Sequence, residues 1–245
     1  MSGLLKMRKI LKSLIPGQYF SRIIHLKNSL FERPRKSYSQ FGEDIILAKL
    51  LKKKTGFYVD VGAYHPKHYS NTYLLYKKGW RGINIDPNPD MISLFRRARG
   101  RDVNVQVGVS KIPSSLTYYR FSHSNWNTFS KEQSDMWQRK PSVRFLGEQQ
   151  IQCIPLREVL QEHLPQGAEI DLLNVDAEKM DLDVLESNDW EKYHPEVVVV
   201  ESPEFNPDIP SKNEIYSFLR KKSYRLYAFM GVSLIFLKKN NQNEP

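Results

Sequence analysis

The stretch Gly56–Pro66, GFYVDVGAYHP, is an aromatic and β-branched run that ends in an acid, Asp60, and a glycine, Gly62. A second run, Arg81–Pro89, RGINIDPNP, repeats the form and ends in Asp86. Short runs of this composition read as buried strands, and a buried strand tip is a costly place for a carboxylate without a partner. Between them, SNTYLLYKKG predicts a helix, with Ser70 or Asn71 as N-cap and Gly79 just past its end. Two acid-bearing strand tips one helix apart predict a βαβ unit whose tips face a ligand.

The alternation extends in both directions. FGEDIILAKLLKKK predicts a preceding helix stopped by Gly56, PDMISLFRRARG a following helix closed by Gly100, and DVNVQVGVS a third strand. Strand–helix alternation over 56–109 predicts an α/β fold with a doubly wound, mostly parallel sheet. Residues 110–150 break the rhythm. SLTYYRFS reads as an extra strand, and HSNWNTFSKEQSDMWQRKPSVRF, with weak periodicity, as a long lid-like loop in which Trp126 and Trp137 are packing residues. Alternation then resumes: helix PLREVLQEHLP, a fourth core strand in EIDLLNVDAE, helix MDLDVLESNDW, a fifth strand in EVVVVES, and helix SKNEIYSFLRKKS, where Ser211 and Glu214 have capping-box spacing. YRLYAFMGVSLIFLKK leaves no room for a helix and predicts a C-terminal antiparallel hairpin turning at Met230–Gly231.

The 245 residues suffice for one large α/β domain, and 40% apolar content is that of a globular chain. Cys153 is the only cysteine, which excludes an internal disulfide or a thiolate metal cluster and predicts a small buried residue in a reducing compartment. The net charge of +10 is unevenly spread. Residues 1–40 hold nine Lys/Arg and one acid, and the remainder holds 28 basic and 26 acidic side chains. The expected organisation is therefore a basic N-terminal extension (1–38), a catalytic domain (39–239) with its insertion around 110–150, and a polar tail (240–245). No apolar run is long enough to span a membrane, and Lys6, Arg8, Lys9 and Lys12 interrupt what would be the apolar part of a signal peptide. With Leu4, Met7, Ile10, Leu11, Leu14 and Ile15 on one side, the start reads as a basic amphipathic helix, lying on an anionic membrane or docked on protein.

The strand ends carry Asp60, Asp86, Asp176 with Glu178, and Glu201. An acid after the second strand suits a ribose, whose two hydroxyls it can accept from, and Gly62 lets backbone approach a ligand. A dinucleotide would require glycines at the phosphate turn, where GAYHPK offers only Gly62. A ligand with a ribose and a base but no phosphate fits better. S-adenosylmethionine is one, and its ammonium and sulfonium charges match an acidic rim.

SQFGED (39–44), GFYVDVGAYHP (56–66), SNTYLLYKKGWRGINIDPNP (70–89), RDVNVQVGVS (101–110), NTF (127–129), IDLLNVDAE (170–178) and PEVVVVE (195–201) together resemble the FkbM family of S-adenosylmethionine-dependent methyltransferases. The resemblance implies a seven-stranded sheet with an antiparallel last strand. It places Asp60 and Gly62 at the methionine end of the cofactor, Asp86 at the ribose, Asp102 toward the adenine and Asp176 beside the methyl group. The chain departs from the family where Lys179 follows Glu178 in place of the usual glycine. The expected reaction is methyl transfer to a hydroxyl of a sugar, glycan, glycolipid or polyketide-like molecule. Asp176, Glu178, Glu201, His65 and His123 are candidate bases, and no metal is assigned. A nucleic-acid or protein methyltransferase using the extension as a clamp, and a cofactor-binding module without catalysis, are the competing readings. Excess positive charge concentrated in the extension counts against nucleic acid. The expected location is cytoplasmic, with peripheral membrane contact through residues 1–36.

Overall fold

The computed structural model describes residues 36–239; the expected extension, apart from its last residues, and the tail 240–245 lie outside them. The described elements are helix α1 (Glu43–Leu50), β1 (Phe57–Val61), α2 (Tyr73–Lys77), β2 (Arg81–Ile85), α3 (Pro89–Ala98), β3 (Val103–Val105), β4 (Gly108–Val109), β5 (Ser114–Phe121), α4 (Lys131–Gln138), β6 (Phe145–Ile154), α5 (Leu156–His163), β7 (Leu172–Val175), α6 (Asp181–Glu186), β8 (Val197–Glu201), α7 (Glu214–Lys221), β9 (Tyr224–Met230) and β10 (Ser233–Lys238). Seven strands form the main sheet in the order β3-β2-β1-β7-β8-β10-β9. The pairs from β3 to β8 are parallel, and β10 runs antiparallel to both neighbours. This is the doubly wound sheet with a terminal hairpin that the sequence predicts. The hairpin turns through Gly231, at φ 61°, where an added Cβ would come within 2.5 Å of the Phe41 ring.

The unbroken run Val197–Val200 shows how one strand feeds two cores. Val198 and Val200 join Leu156, Val159 and Leu160 of α5 on one face. Val197 and Val199 join Leu47, Leu51, Leu75 and Trp80 on the other. Period-two alternation within an all-apolar strand is what a sheet covered by helices on both faces requires.

Several local expectations change. The third strand breaks in two: β3 stays in the main sheet, and β4 joins β5 and β6 in a separate three-stranded sheet. The stretch 123–145, expected to form a lid-like loop, instead holds α4, whose N-cap Ser130 accepts from the Gln133 amide; β6, antiparallel to β5, begins at its last residue. Burial along β6 alternates strictly, but its inner face carries half-buried Gly147 and Gln149, which weakens the apolar alternation in the sequence. α1 ends at Leu50, well before Gly56. The cap of α7 is Asn213, which accepts from the Tyr216 amide at 2.9 Å. Ser211 instead lies in the preceding turn of 3-10 helix, so its distance from Glu214 is not that of a cap.

Arg99, at the end of α3, is wholly buried. Its guanidinium donates to the Pro66 carbonyl (2.8 Å), Ser70 Oγ (2.6 Å), Thr72 Oγ1 (2.7 Å) and Asn84 Oδ1 (3.2 Å). Thr72 in turn donates to Asp60 (2.5 Å), and Asn84 Nδ2 to Asp102 (3.1 Å). The buried cation thus faces two carboxylates, each through one neutral relay. Removing one member of such a network leaves the others uncompensated. Arg99→Met is expected to destabilise the protein by about 3–5 kcal/mol in chemical denaturation. Arg99→Lys should recover little of this, since an ammonium cannot span the four acceptors.

Candidate functional site

Strand register assembles the site. Val61 pairs with Ile85 and with Val175, and Val175 pairs with Val200. The next residue along each strand is therefore Gly62, Asp86, Asp176 or Glu201, four neighbours in one row at the carboxyl edge. They form the floor of a cleft of about 370 Å³ that also takes in Asp60 and Glu178. Tyr64 and Met91 contribute one wall, and Tyr118, Asn127 and Phe129 of the inserted sheet another. Gln40 reaches the rim from SQFGED. That motif also fixes its own helix: Asp44 accepts from Ser37 Oγ, Ser39 Oγ and the Tyr38 amide, and Glu43 from Ser233 Oγ and the Phe41 amide.

Each acid is held differently. Asp60 accepts from Thr72 and from Asn174 Nδ2 (2.8 Å). Burial raises its pKa, and Arg99 opposes the rise. Asp86 accepts the Tyr64 and Asn88 amides, both at 2.8 Å, and so ties the β1 loop to the β2 loop. The N-cap of α3 is Asn88, not Asp86. Burial pushes Asp86 up to about 7 against those two bonds. Asp176 is raised well above the usual carboxylate range by burial and by Glu201 beside it, and Glu201 is itself raised by burial. Glu178 is pushed up to about 8 by burial and then by Glu201.

Gly62 has a reason other than ligand approach. At φ 71° its Cβ would lie 1.7 Å from the Asp176 carbonyl oxygen, so the glycine lets two chain segments of the protein meet. Lys179 sits at φ 80°, after Glu178 at φ 49°. That is backbone suited to glycine. Here the lysine keeps the conformation and points outward, with Nζ 2.9 Å from Glu204.

Three expected site residues lie elsewhere. Asp102 precedes β3, at the amino edge of the sheet, where it accepts from Tyr58 Oη (2.5 Å) and the Gly82 amide (3.1 Å); it does not line the cleft. His65 also stays out of the lining. Its Nδ1 accepts the Lys67 and His68 amides, both at 3.0 Å, so the lone pair that a base needs is occupied by a turn. His123 is exposed, next to Ser122, and outside the cleft. Sequence reading missed Arg99, Thr72 and Asn174, which hold Asp60, and Tyr118, which faces the cleft. The NTF motif and the extra strand SLTYYRFS are the visible signals for the inserted wall. Asn127 accepts the Phe121 amide (2.8 Å), and Thr128 bridges to Tyr119. Trp126 and Trp137 pack on each other at 4.6 Å, with Lys140 over both rings.

The floor can hold S-adenosylmethionine. Three carboxyl groups, Asp176, Glu178 and Glu201, crowd together with Lys179 as their nearby cation, and Lys179 is paired with Glu204. A ligand with two positive centres meets that unbalanced acidity. A second hollow of about 480 Å³ adjoins the cleft, with Glu201 in both and Lys179, Asn206 and Asn213 along its sides. Among the described residues, no three of His, Cys, Asp and Glu are placed to hold a metal ion.

In comparisons with known proteins, the family profile described as methyltransferase FkbM domain matches residues 60–226. The chain is similar to the O-methyltransferase from Bacillus cereus in complex with SAH at 11% identity and TM-score 0.39, covering 94% of this chain and 96% of that one. It is similar to the SAH-bound methyltransferase of Podospora anserina at 13% identity and TM-score 0.35, covering 98% and 97%. No match among curated protein sequences was found.

Two predictions follow from the geometry of the floor. Asp86 and Glu178 take up protons at higher pH in the folded chain than at their ordinary values of 3.8 and 4.5. Between the two values the folded state holds protons that the unfolded state has released, so raising the pH disfavours folding. Without cofactor, melting temperature should fall as pH rises from about 4 to about 8. Lys179→Gly should relieve the left-handed backbone, a net stabilisation of about 0.5–1 kcal/mol in denaturant titration at pH 5, where Glu178 is protonated and losing its nearby cation and the exposed Glu204 pair costs little.

Proposed function

The chain belongs to the FkbM methyltransferase family and is an S-adenosylmethionine-dependent methyltransferase; we propose that it methylates a hydroxyl of a sugar, glycan, glycolipid or polyketide-like molecule. The observation that carries the reading is the row of carboxyl groups at one sheet edge, with the Asp176–Glu201 pair at the boundary of two hollows. When bound, S-adenosylmethionine supplies a methyl group carried on a sulfonium.

In this reading Asp86 accepts from the ribose hydroxyls, and Asp60 and Gly62 shape the methionine end. Tyr64, Tyr118 and Phe129 exclude water from the cleft. The polar hollow next to Glu201 takes the acceptor. Its hydroxyl must lose a proton, and Glu201, which lines both hollows, is placed to receive it. A carboxylate raised by burial is a stronger base at neutral pH than one in water. The cleft lining has no Lys or Arg among the described residues, which argues against nucleic acid as acceptor, since such residues bind its phosphates. Lys179 keeps a backbone conformation suited to glycine, so its standing where the resemblance expects glycine does not support a loss of catalysis.

Asp86→Asn tests the cofactor assignment. It keeps an acceptor oxygen for a backbone amide and removes the carboxylate. Calorimetry should show S-adenosylmethionine affinity reduced about tenfold or more; unchanged affinity would reduce Asp86 to a loop tie. The acceptor class is tested by incubating fractionated extracts with methyl-labelled cofactor. Label in glycan or small-molecule fractions is the expected result, and label confined to RNA or protein would overturn the proposal.

A further inference from the structure

The strand order 3-2-1 brings together cations that are far apart in sequence. The loops entering β1, β2 and β3 lie abreast at the amino edge of the sheet, opposite the cleft. Lys52, Lys53 and Lys54 precede β1; Lys77, Lys78 and Arg81 enter β2; Arg96, Arg97 and Arg101 enter β3. All nine are exposed. Lys53 pairs with Asp171 and, at 3.6 Å, with Glu196. Lys77 donates to Tyr38 Oη, and Arg101 donates to the Tyr76 carbonyl. The other six have no ion pair among the described residues. The acids at this edge are Asp171 and Glu196 beside Lys53, Glu169 near them, and Asp102, which is mostly buried and held by Tyr58 and Asn84.

The polarity is large. Beyond residue 36 the chain has 28 basic and 26 acidic side chains. Nine of the 28 basic and four of the 26 acidic side chains stand at this one edge, which leaves 19 basic against 22 acidic elsewhere. A nearly neutral body is thus divided into a positive edge and a slightly negative remainder.

We infer that this edge docks on an anionic lipid bilayer surface. Three loop tips side by side, over strands about 4.8 Å apart, present a broad cationic face. The cavities described above open at the opposite, acidic edge, where a nucleic-acid acceptor would have to enter. Attraction to anionic lipid grows with each Lys or Arg near the surface and is screened by salt. Residues 1–36 supply a second cationic element in the same chain, and stable attachment to membranes takes two signals. Docking by this edge leaves the cleft facing water, open to a soluble acceptor or to the distal sugar of a long glycan.

The test uses the full chain and vesicles of phosphatidylcholine with or without phosphatidylserine. Lys78→Glu with Arg81→Glu is compared with Arg139→Glu plus Arg144→Glu, an equal charge change on the inserted sheet. A second pair at the edge, Lys52→Glu with Lys54→Glu, covers the case where the first fails to fold. S-adenosylhomocysteine binding, measured alongside, reports folding and the cofactor site separately from docking. Each edge pair should weaken partitioning onto phosphatidylserine vesicles at least about tenfold, leave cofactor affinity unchanged, and exceed the control pair. Equal weakening by edge and control pairs would overturn the inference, as would none at all, which would give the binding to residues 1–36. Retained vesicle binding with lost RNA binding in the edge variants would overturn it in favour of nucleic acid.

Discussion

The structure depends on one buried cation. Arg99 leaves the end of α3 and passes beneath the loop that follows β1, with donors fixed on Pro66, Ser70, Thr72 and Asn84. Its ring neighbours Phe95, Tyr73 and Tyr76 lie 5.0, 5.4 and 5.7 Å away. A guanidinium without water is tolerable only when its donors are satisfied and opposite charge is near. Thr72 links it to Asp60 toward the cleft, and Asn84 links it to Asp102 at the far edge. The same residue therefore joins a helix, a loop and two strands, and keeps the Asp60 carboxyl beside the cofactor cleft.

Above that cation the cleft is built from acids that burial makes reluctant to ionise. Parallel register sets the level of each strand tip, so one residue's advance along four strands produces one row. A carboxyl group held with its pKa near neutrality can both meet a cationic ligand and take a proton. The cost is strain at the floor, visible as successive left-handed residues Glu178 and Lys179. The inserted sheet closes the cleft from the side and is tied to α3 by Arg120 and Asp90 at 2.8 Å.

Charge is segregated along the strand axis. Acids collect where parallel strands end, and cations collect in the loops that lead into them. The first follows from ligand binding at carboxyl edges of open sheets. The second is the helix-end preference for Lys and Arg, applied to α2 and α3 and carried into the loops beyond them.

By itself the sequence determined the sheet class, the hairpin end and the acids at the strand tips. These rest on local periodicity, β-branched runs and turn residues, which nearby residues specify. Family motifs added the cofactor. It could not separate Asp102 from Asp60, because both are acids next to strands, and only chain direction tells the carboxyl edge from the amino edge. Nor could it demote His65 and His123, whose chemistry is suitable and whose surroundings come from distant parts of the chain. Gly147 and Gln149 on the inner face of β6 concealed that strand of the inserted sheet, and RRARGR concealed a buried arginine among exposed ones. Tertiary structure decided these points because burial and pairing of charges are set by strand order and register, and those arise from contacts between residues far apart in sequence.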